Sequence, residues 1–291
     1  VTAHEPIGIA GTGRVAQALG RLLAEAGEPV VAIAGRDAAR TAAAAAFVGH
    51  GVEPLPLNVL GARVSRVLIA VSDDAIREVA RVVAAAGMHS GAALHTCGAR
   101  GADELEPLAT AGVSCGVLHP LQTFATAGRG VDVLAGAHFA IAGDGAAMAW
   151  AERICALAGG TALRVASGAM PIYHAAAAMA SNYVTGLLDA AVILMKTAGI
   201  DEETALGALG PLVRAGVENT LALGPGQALT GPIRRGDVET VRRHLVSLAG
   251  APPLARELYR SAGLYTLELA RRTGLAEPQA HAIEALLREG R

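Results

Sequence analysis

Two histidines stand where a proton could be moved. His119 closes an apolar run, Val113 to Leu118, and opens the stretch HPLQTF; His174 lies near the front of a long alanine-rich segment. Imidazole titrates close to neutral pH, so either can serve as a general acid, and the residues alone leave both open. In the same alanine-rich segment His174, Ser181, Asn182, Thr185 and Asp189 recur at helical spacing. At 100° per residue they fall within an arc of roughly 100°, hence on one helix face. Such a stripe lines a pocket or satisfies its own hydrogen bonds internally. A second polar stretch, GPGQALTGPIRRGD over 224–237, carries Thr230, Arg234 and Arg235 on a turn-rich frame. Adjacent arginines there suit bidentate binding of a carboxylate, with helix capping by Asp237 and two solvated arginines as the plain alternative.

These groups need a scaffold, and the first thirty residues specify one. PIGIAGTGRVAQALGRLLAEAGEPVVAIAG, over 6–35, is an apolar run, a Gly-x-Gly turn, a helix-patterned segment and a second apolar run. Strand, glycine turn, helix and strand at this spacing form the first unit of a dinucleotide-binding fold. Gly11 permits the sharp turn, and Gly13 lets the backbone approach a pyrophosphate. Ala16 lets helix and strand pack closely. The amides of Gly11, Thr12, Gly13, Arg14 and Val15 lie where phosphates bind a helix N-terminus. The second strand ends in Gly35-Arg36-Asp37. Arginine at that tip suits the 2′-phosphate of NADP, so NADP is expected over NAD. Asp37 is either a displaced ribose acid, which would favour NAD, or the N-cap of the next helix.

Further along, apolar runs alternate with helical patterns for about 165 residues. A strand over 64–71 ends at Ser72-Asp73, one over 92–96 ends at Thr96-Cys97, and one over 113–118 ends at His119. In open α/β sheets ligands bind beyond the carboxyl ends of the strands, which selects Ser72, Asp73 and Thr96 beside the cofactor and His119 beside the chemistry. Past Ser167 the strands stop, and helices are expected over 170–198, 202–223, 237–248, 253–273 and 277–289. The expected architecture is an α/β Rossmann-type doubly wound parallel sheet, residues 1–166, followed by an all-α domain, residues 167–291.

Composition narrows the function class. Hydrophobic residues make up 52% of the 291 and aromatic ones 3%, so the cores are expected to be close-packed helices rich in alanine. A net charge of −2 gives no reason to expect nucleic acid or an anionic membrane as partner. The three cysteines are scattered, which fits a reducing cytoplasm rather than a disulfide framework. No metal-ligand spacing occurs, so no metal is expected. The first strand begins within a few residues of the start, which reads as a chain with no secretory leader. The uncharged run over 165–188 has the length of a membrane span, but its polar residues point instead to a helix buried between protein surfaces.

Together, IGIAGTGRVAQAL, HTCGARGADEL, LHPLQTF, YHAAAAMASNY and ALTGPIRRGD resemble a family of predicted oxidoreductases that join a Rossmann-like domain to a helical domain of unknown function. That family is similar to the 6-phosphogluconate dehydrogenase-like group, which includes 3-hydroxyacid dehydrogenases and pyrroline-5-carboxylate, ketopantoate and prephenate enzymes. The resemblance implies NAD(P)-dependent hydride transfer and a homodimer built through the helical domain. The 3-hydroxyacid dehydrogenases place a lysine four residues before an asparagine on the long helix. If Asn182 is that asparagine, the lysine position is Ala178, and the sole lysine, Lys196, lies beyond Asn182 by about 21 Å along a helix. His119 or His174 is then expected as the acid, with Ser181 and Asn182 holding the reacting oxygen and Thr230, Arg234 and Arg235 the substrate. The expected substrate is a small 2-oxo acid of ketopantoate type. Imine reduction and a non-catalytic NADP(H) sensor are the alternatives. Replacing Arg36 by Glu is expected to shift coenzyme preference towards NADH by about tenfold or more, read as the ratio of the two dissociation constants; an unchanged ratio would remove Arg36 from 2′-phosphate recognition.

Overall fold

The computed structural model describes residues 5–289. The chain divides into two compact units, Val1–Ser181 and Asn182–Arg291.

The first unit holds an eight-stranded sheet of order β3-β2-β1-β4-β5-β6-β7-β8. In chain order these are β1 (Ile7–Ala10), β2 (Val30–Gly35), β3 (Glu53–Pro56), β4 (Arg66–Ile69), β5 (Ala92–His95), β6 (Ser114–Pro120), β7 (His138–Gly143) and β8 (Thr161–Arg164). Every neighbouring pair is parallel except β6 and β7. Crossing helices cover both faces, which is why the strands read as unbroken apolar runs. One face is covered by α1 (Arg14–Glu25), α2 (Ala38–Val48), α6 (Ala127–Leu134) and α7 (Gly145–Leu157). Their Leu19, Leu23, Ala45, Leu134 and Trp150 pack with Ile7, Ile9 and Phe139 of the strands. The other face is covered by α3 (Leu57–Leu60), α4 (Ile76–Ala85) and α5 (Glu106–Thr110), against Val67, Ile69 and Ala93. Leu68, between Val67 and Ile69, belongs to the opposite face, as the two-residue period of a strand requires.

Helix α6 is an element the sequence does not announce, since Gly128 and Gly130 both lower its intrinsic propensity. Packing compensates: a Cβ at residue 130 would lie 2.8 Å from Phe124 and 2.9 Å from Ala18, so glycine lets α6 approach α1.

The expected boundary at residue 166 differs from the observed one. The unit continues through α8 (Met170–Ala180), because Met170 is fully buried with Val117, Ala140 and Ala142 of the sheet. The single long helix expected over 170–198 is two helices. Ser181 leaves the helical conformation at φ −125° and ψ −75°, and α9 (Asn182–Thr197) begins after it. No proline or glycine marks the break; it falls where the two units meet in the chain. The run is not buried as expected either: Met170 and Val192 are its buried residues, while Ile172, Met179, Tyr183 and Leu187 are exposed. Ser167–Thr197 is long and apolar enough by composition to cross a membrane. The break at Ser181 leaves pieces of 11 and 16 residues, each short of the ~20 that a crossing helix needs.

The second unit is helical throughout: α9, α10 (Glu202–Leu223), the short α11 (Pro225–Ala228) and α12 (Pro232–Arg235), α13 (Val238–Ser247), α14 (Pro253–Arg272) and α15 (Glu277–Arg288). Its core is Ile233, Val241, Leu267, Ile283, Leu286 and Leu287, from α12 to α15.

Candidate active site

The strand order locates the first part of the site. The chain leaves β1 for β2 and β3 on one side, then crosses to β4 on the other, so β1 and β4 bound the topological switch point. Gly11 ends β1 there. Its amide donates to the Ala34 carbonyl at 2.8 Å, and its φ of 125° is one that L side chains rarely adopt. A Cβ at this position would meet the Ala70 carbonyl oxygen of the β4 end at 2.1 Å. Gly11 is therefore demanded by the fold itself. Gly13 is different. It is the N-cap of α1 with an ordinary extended backbone, and a Cβ there would meet nothing within 4 Å. Nothing in the protein requires glycine at 13; the missing side chain leaves open space over the first turn of α1.

Around this turn, Gln17 Nε2 donates to the Thr12 carbonyl at 2.9 Å, and the Arg14 guanidinium donates to the Phe124 carbonyl at 3.2 Å. Arg14 thus ties the glycine turn to the loop after β6. Val15 packs against the core, and Ser72 and Asp73 are exposed at the β4 end. At the tip of β2, Arg36 is exposed, and Asp37 Oδ1 accepts the Arg40 amide at 2.8 Å to cap α2. That carboxylate serves as a helix cap, the second of the two roles open for it from sequence.

The second part of the site lies at the end of β6. His119 Nδ1 is 3.0 Å from the Tyr173 hydroxyl, and the rings stand at 83° with centroids 5.6 Å apart. His174 meets the same imidazole edge-on at 5.7 Å and 75°. The two histidines expected as alternative acids are therefore brought together. Tyr173, which the sequence reading passed over, is the residue bonded to His119. Its signal was its place beside His174 on a helix whose first turn carries Met170. Gly98, of the loop that also holds Thr96, packs against the His119 ring.

The expected polar stripe is divided, because the break at Ser181 leaves His174 and Ser181 in the first unit and Asn182, Thr185 and Asp189 in the second. They do not share one continuous helix face. In the second unit, Thr230, Arg234 and Arg235 line one cavity of about 670 Å³ with Gln279, and Arg234 also donates to the Thr273 carbonyl at 3.2 Å.

Residues 2–120 match the family model of a Rossmann-like domain, and residues 137–266 match that of a domain of unknown function, DUF2520. The two matches lie in tandem along the chain, the Rossmann-like model first and the DUF2520 model after it. The DUF2520 match begins just ahead of β7, so this domain supplies the last two strands of the sheet and Tyr173 and His174. Among solved structures, the protein BF3122 of Bacteroides fragilis is 22% identical, covering 92% of this chain and 97% of that one at a TM-score of 0.69. An imine reductase of Streptomyces aurantiacus is 14% identical, with 98% and 100% covered and a TM-score of 0.65. The NADP-bound pyrroline carboxylate reductase of Plasmodium falciparum is 14% identical, with 97% and 98% covered and a TM-score of 0.56. At these identities the likeness is one of fold. No curated protein matches the chain.

Burial at the end of β6 disfavours the charged forms of His119 and Tyr173. Burial pushes His119 down to about 4, His174 and His95 push the same way, and the Asp73 carboxylate opposes them. Burial also pushes the Tyr173 hydroxyl up to about 12. The His119–Tyr173 bond therefore joins two uncharged groups at neutral pH. An imidazole held below its ordinary value of 6.5 makes the unfolded state bind more protons between those two pH values. Folding stability is then full above pH 6.5 and is lost as the pH falls towards 4. His95, also lowered by burial, adds to this trend. In thermal unfolding from pH 8 to 4, His119→Gln should lose stability less steeply than the parent protein; equal slopes would place the acid-sensitive group elsewhere.

Proposed function

We propose that this protein is an NADP(H)-dependent reductase of a small molecule bearing a C=N or C=O bond. The observation that carries the reading is the open space at Gly13. In a fold that needs no glycine there, it leaves the α1 N-terminus bare at the topological switch point, a cradle that a single Cβ would fill. A dinucleotide pyrophosphate fits that cradle, with the amides of Gly11, Thr12, Gly13, Arg14 and Val15 as donors. Arg36 would take the 2′-phosphate, and the use of Asp37 as a helix cap favours NADP over NAD. Ser72, Asp73 and Thr96, at the neighbouring strand ends, would flank the cofactor. NADPH, when bound, supplies the hydride.

The chain's own residues bear on the substrate. His119 stays unprotonated down to about pH 4, so it is no cationic acid at neutral pH. An imine is protonated in solution near neutrality and needs only the hydride, so this environment favours an imine. The names of the Streptomyces and Plasmodium proteins agree with it. Reduction of a 2-oxo acid of ketopantoate type is the second reading, favoured by the Tyr173 hydroxyl, which has a proton to give and an imidazole partner. Ser181 and Asn182 would then hold the carbonyl oxygen. In either reading Thr230, Arg234 and Arg235 suit a substrate carboxylate.

The partner we propose is a second copy of the chain. Tyr183 and Leu187 on α9 and Leu206, Leu212, Val217 and Leu221 on α10 are exposed apolar side chains on adjacent helices of the second unit. Exposed apolar side chains on neighbouring helices call for a cover, and a two-fold dimer is the commonest form of one. The free buried cysteines fit a reducing cytoplasm.

NADPH oxidation against cyclic imines, pyrroline carboxylates and branched 2-oxo acids tests the activity, with NADH as control. Imine turnover is expected. Turnover of oxo acids alone would select the second reading, and tight NADPH binding with no turnover would leave a sensor. Light scattering on the eluting protein should return about twice the chain mass of 29.2 kDa; a monomer would remove the dimer.

A further inference from the structure

We infer that His95 is a positioning residue that sets the His119 ring through the backbone of Gly98. The reading as a reductase is needed only for the effect on turnover.

His95 is fully buried at the end of β5. Its Nε2 lies 2.8 Å from the Gly101 carbonyl oxygen, and its Nδ1 lies 3.2 Å from the Cys97 amide nitrogen. A carbonyl can only accept and an amide N–H can only donate. The ring must therefore carry its proton on Nε2 and none on Nδ1. A second proton would set two donors against each other at Nδ1. His95 is thus a neutral clamp with one tautomer, gripping the loop after β5 at two points. Within that loop the Ala99 amide donates to Cys97 Sγ at 3.3 Å.

The clamp presents Gly98 to the site. Gly98 is buried, and a Cβ built on it would lie 2.8 Å from Cδ2, Cε1 and Nε2 of His119. The bare backbone is therefore a floor under that side of the ring. The remaining ring nitrogen, Nδ1, is the one 3.0 Å from the Tyr173 hydroxyl. The register agrees: His95 pairs with Val117, which shares a sheet face with His119 two residues on. The titratable groups facing His119 are Tyr173, His174, Asp73 and His95 itself.

Two variants separate this role from simple support of the loop. His95→Asn keeps an acceptor close to the Cys97 amide but is too short to reach Gly101. Gly98→Ala leaves His95 intact and pushes on the ring directly. In each folded variant, the 15N shifts and titration midpoint of His119 are followed by NMR, with thermal unfolding as control. Both variants should move the Nδ1 signal and shift the midpoint by about half a unit or more. With a 2-oxo acid, whose carbonyl oxygen would take the proton of the Tyr173 hydroxyl held by His119, kcat should fall on the order of tenfold to a hundredfold, with NADPH affinity retained, as misplacement of that pair would cause. Unmoved His119 signals in both, or movement in Gly98→Ala alone, would overturn the role of His95. If His95→Asn does not fold, His95→Gln, which keeps a donor for the Gly101 carbonyl but loses the acceptor for the Cys97 amide, takes its place, and an unmoved His119 ring there overturns the inference. Because the NMR readout requires no turnover, loss of the reductase reading would show separately, as a ring that moves in a protein that reduces nothing.

Discussion

The first unit depends on one close approach between backbones. Where β1 ends, Gly11 donates to β2, and the carbonyl of the preceding residue, Ala10, accepts from Ala70, the residue after β4, at 2.8 Å. The chain must turn there, in a space where a Cβ would overlap the Ala70 oxygen. A non-glycine residue would carry strain of about 1–3 kcal/mol from its backbone conformation alone. All else at the switch point follows from that turn: the start of α1, the bare N-terminus at Gly13 and the divergence of the loops after β1 and β4.

A second constraint brings the other half of the site to the sheet. Met170 is buried among Val117, Ala140 and Ala142, so the first turn of α8 is held by β7 and by β6, the strand that carries His119 near its end. One helical turn on, Tyr173 and His174 reach His119. The antiparallel pairing of β6 with β7 supports this placement, because it brings Ala140 and Ala142 alongside His119 and Val117. The site in the first unit is thus assembled from the ends of the parallel strands β1, β2, β4, β5 and β6 and a helix that follows the last strand in the chain. Burial then decides its chemistry: an imidazole and a phenol that would each exchange protons with water are held neutral against one another.

Glycine has two different origins in this site, and the distinction matters for function. At Gly11 and Gly98 the protein's own atoms exclude a side chain, the Ala70 carbonyl in one case and the His119 ring in the other. At Gly13 nothing of the protein does so. A glycine that the fold does not need is a residue whose reason lies in what docks against it, and this separates a phosphate cradle from an ordinary tight turn.

Much of this was legible in the residues. The Rossmann-type sheet, the switch to helices after the last strand and the extent of α10 follow from local periodicity and from the Gly-x-Gly turn, signals carried within a few turns of chain. His119 and His174 were recognisable by type and position. What the sequence could not supply were features set by distant packing. Helix α6 forms despite its glycines because Phe124 and Ala18 leave room for nothing larger. The long apolar helix breaks at Ser181 with no breaker residue, which divides the polar stripe that helical spacing had placed on one face. Tyr173 and His95 looked ordinary because a hydrogen-bond partner more than fifty residues away, or a tautomer forced by two backbone groups, leaves no trace in spacing. Local patterning determined the elements and the dinucleotide turn; only the tertiary structure decided which polar side chains meet, because burial and contact belong to pairs of residues that chain order does not bring together.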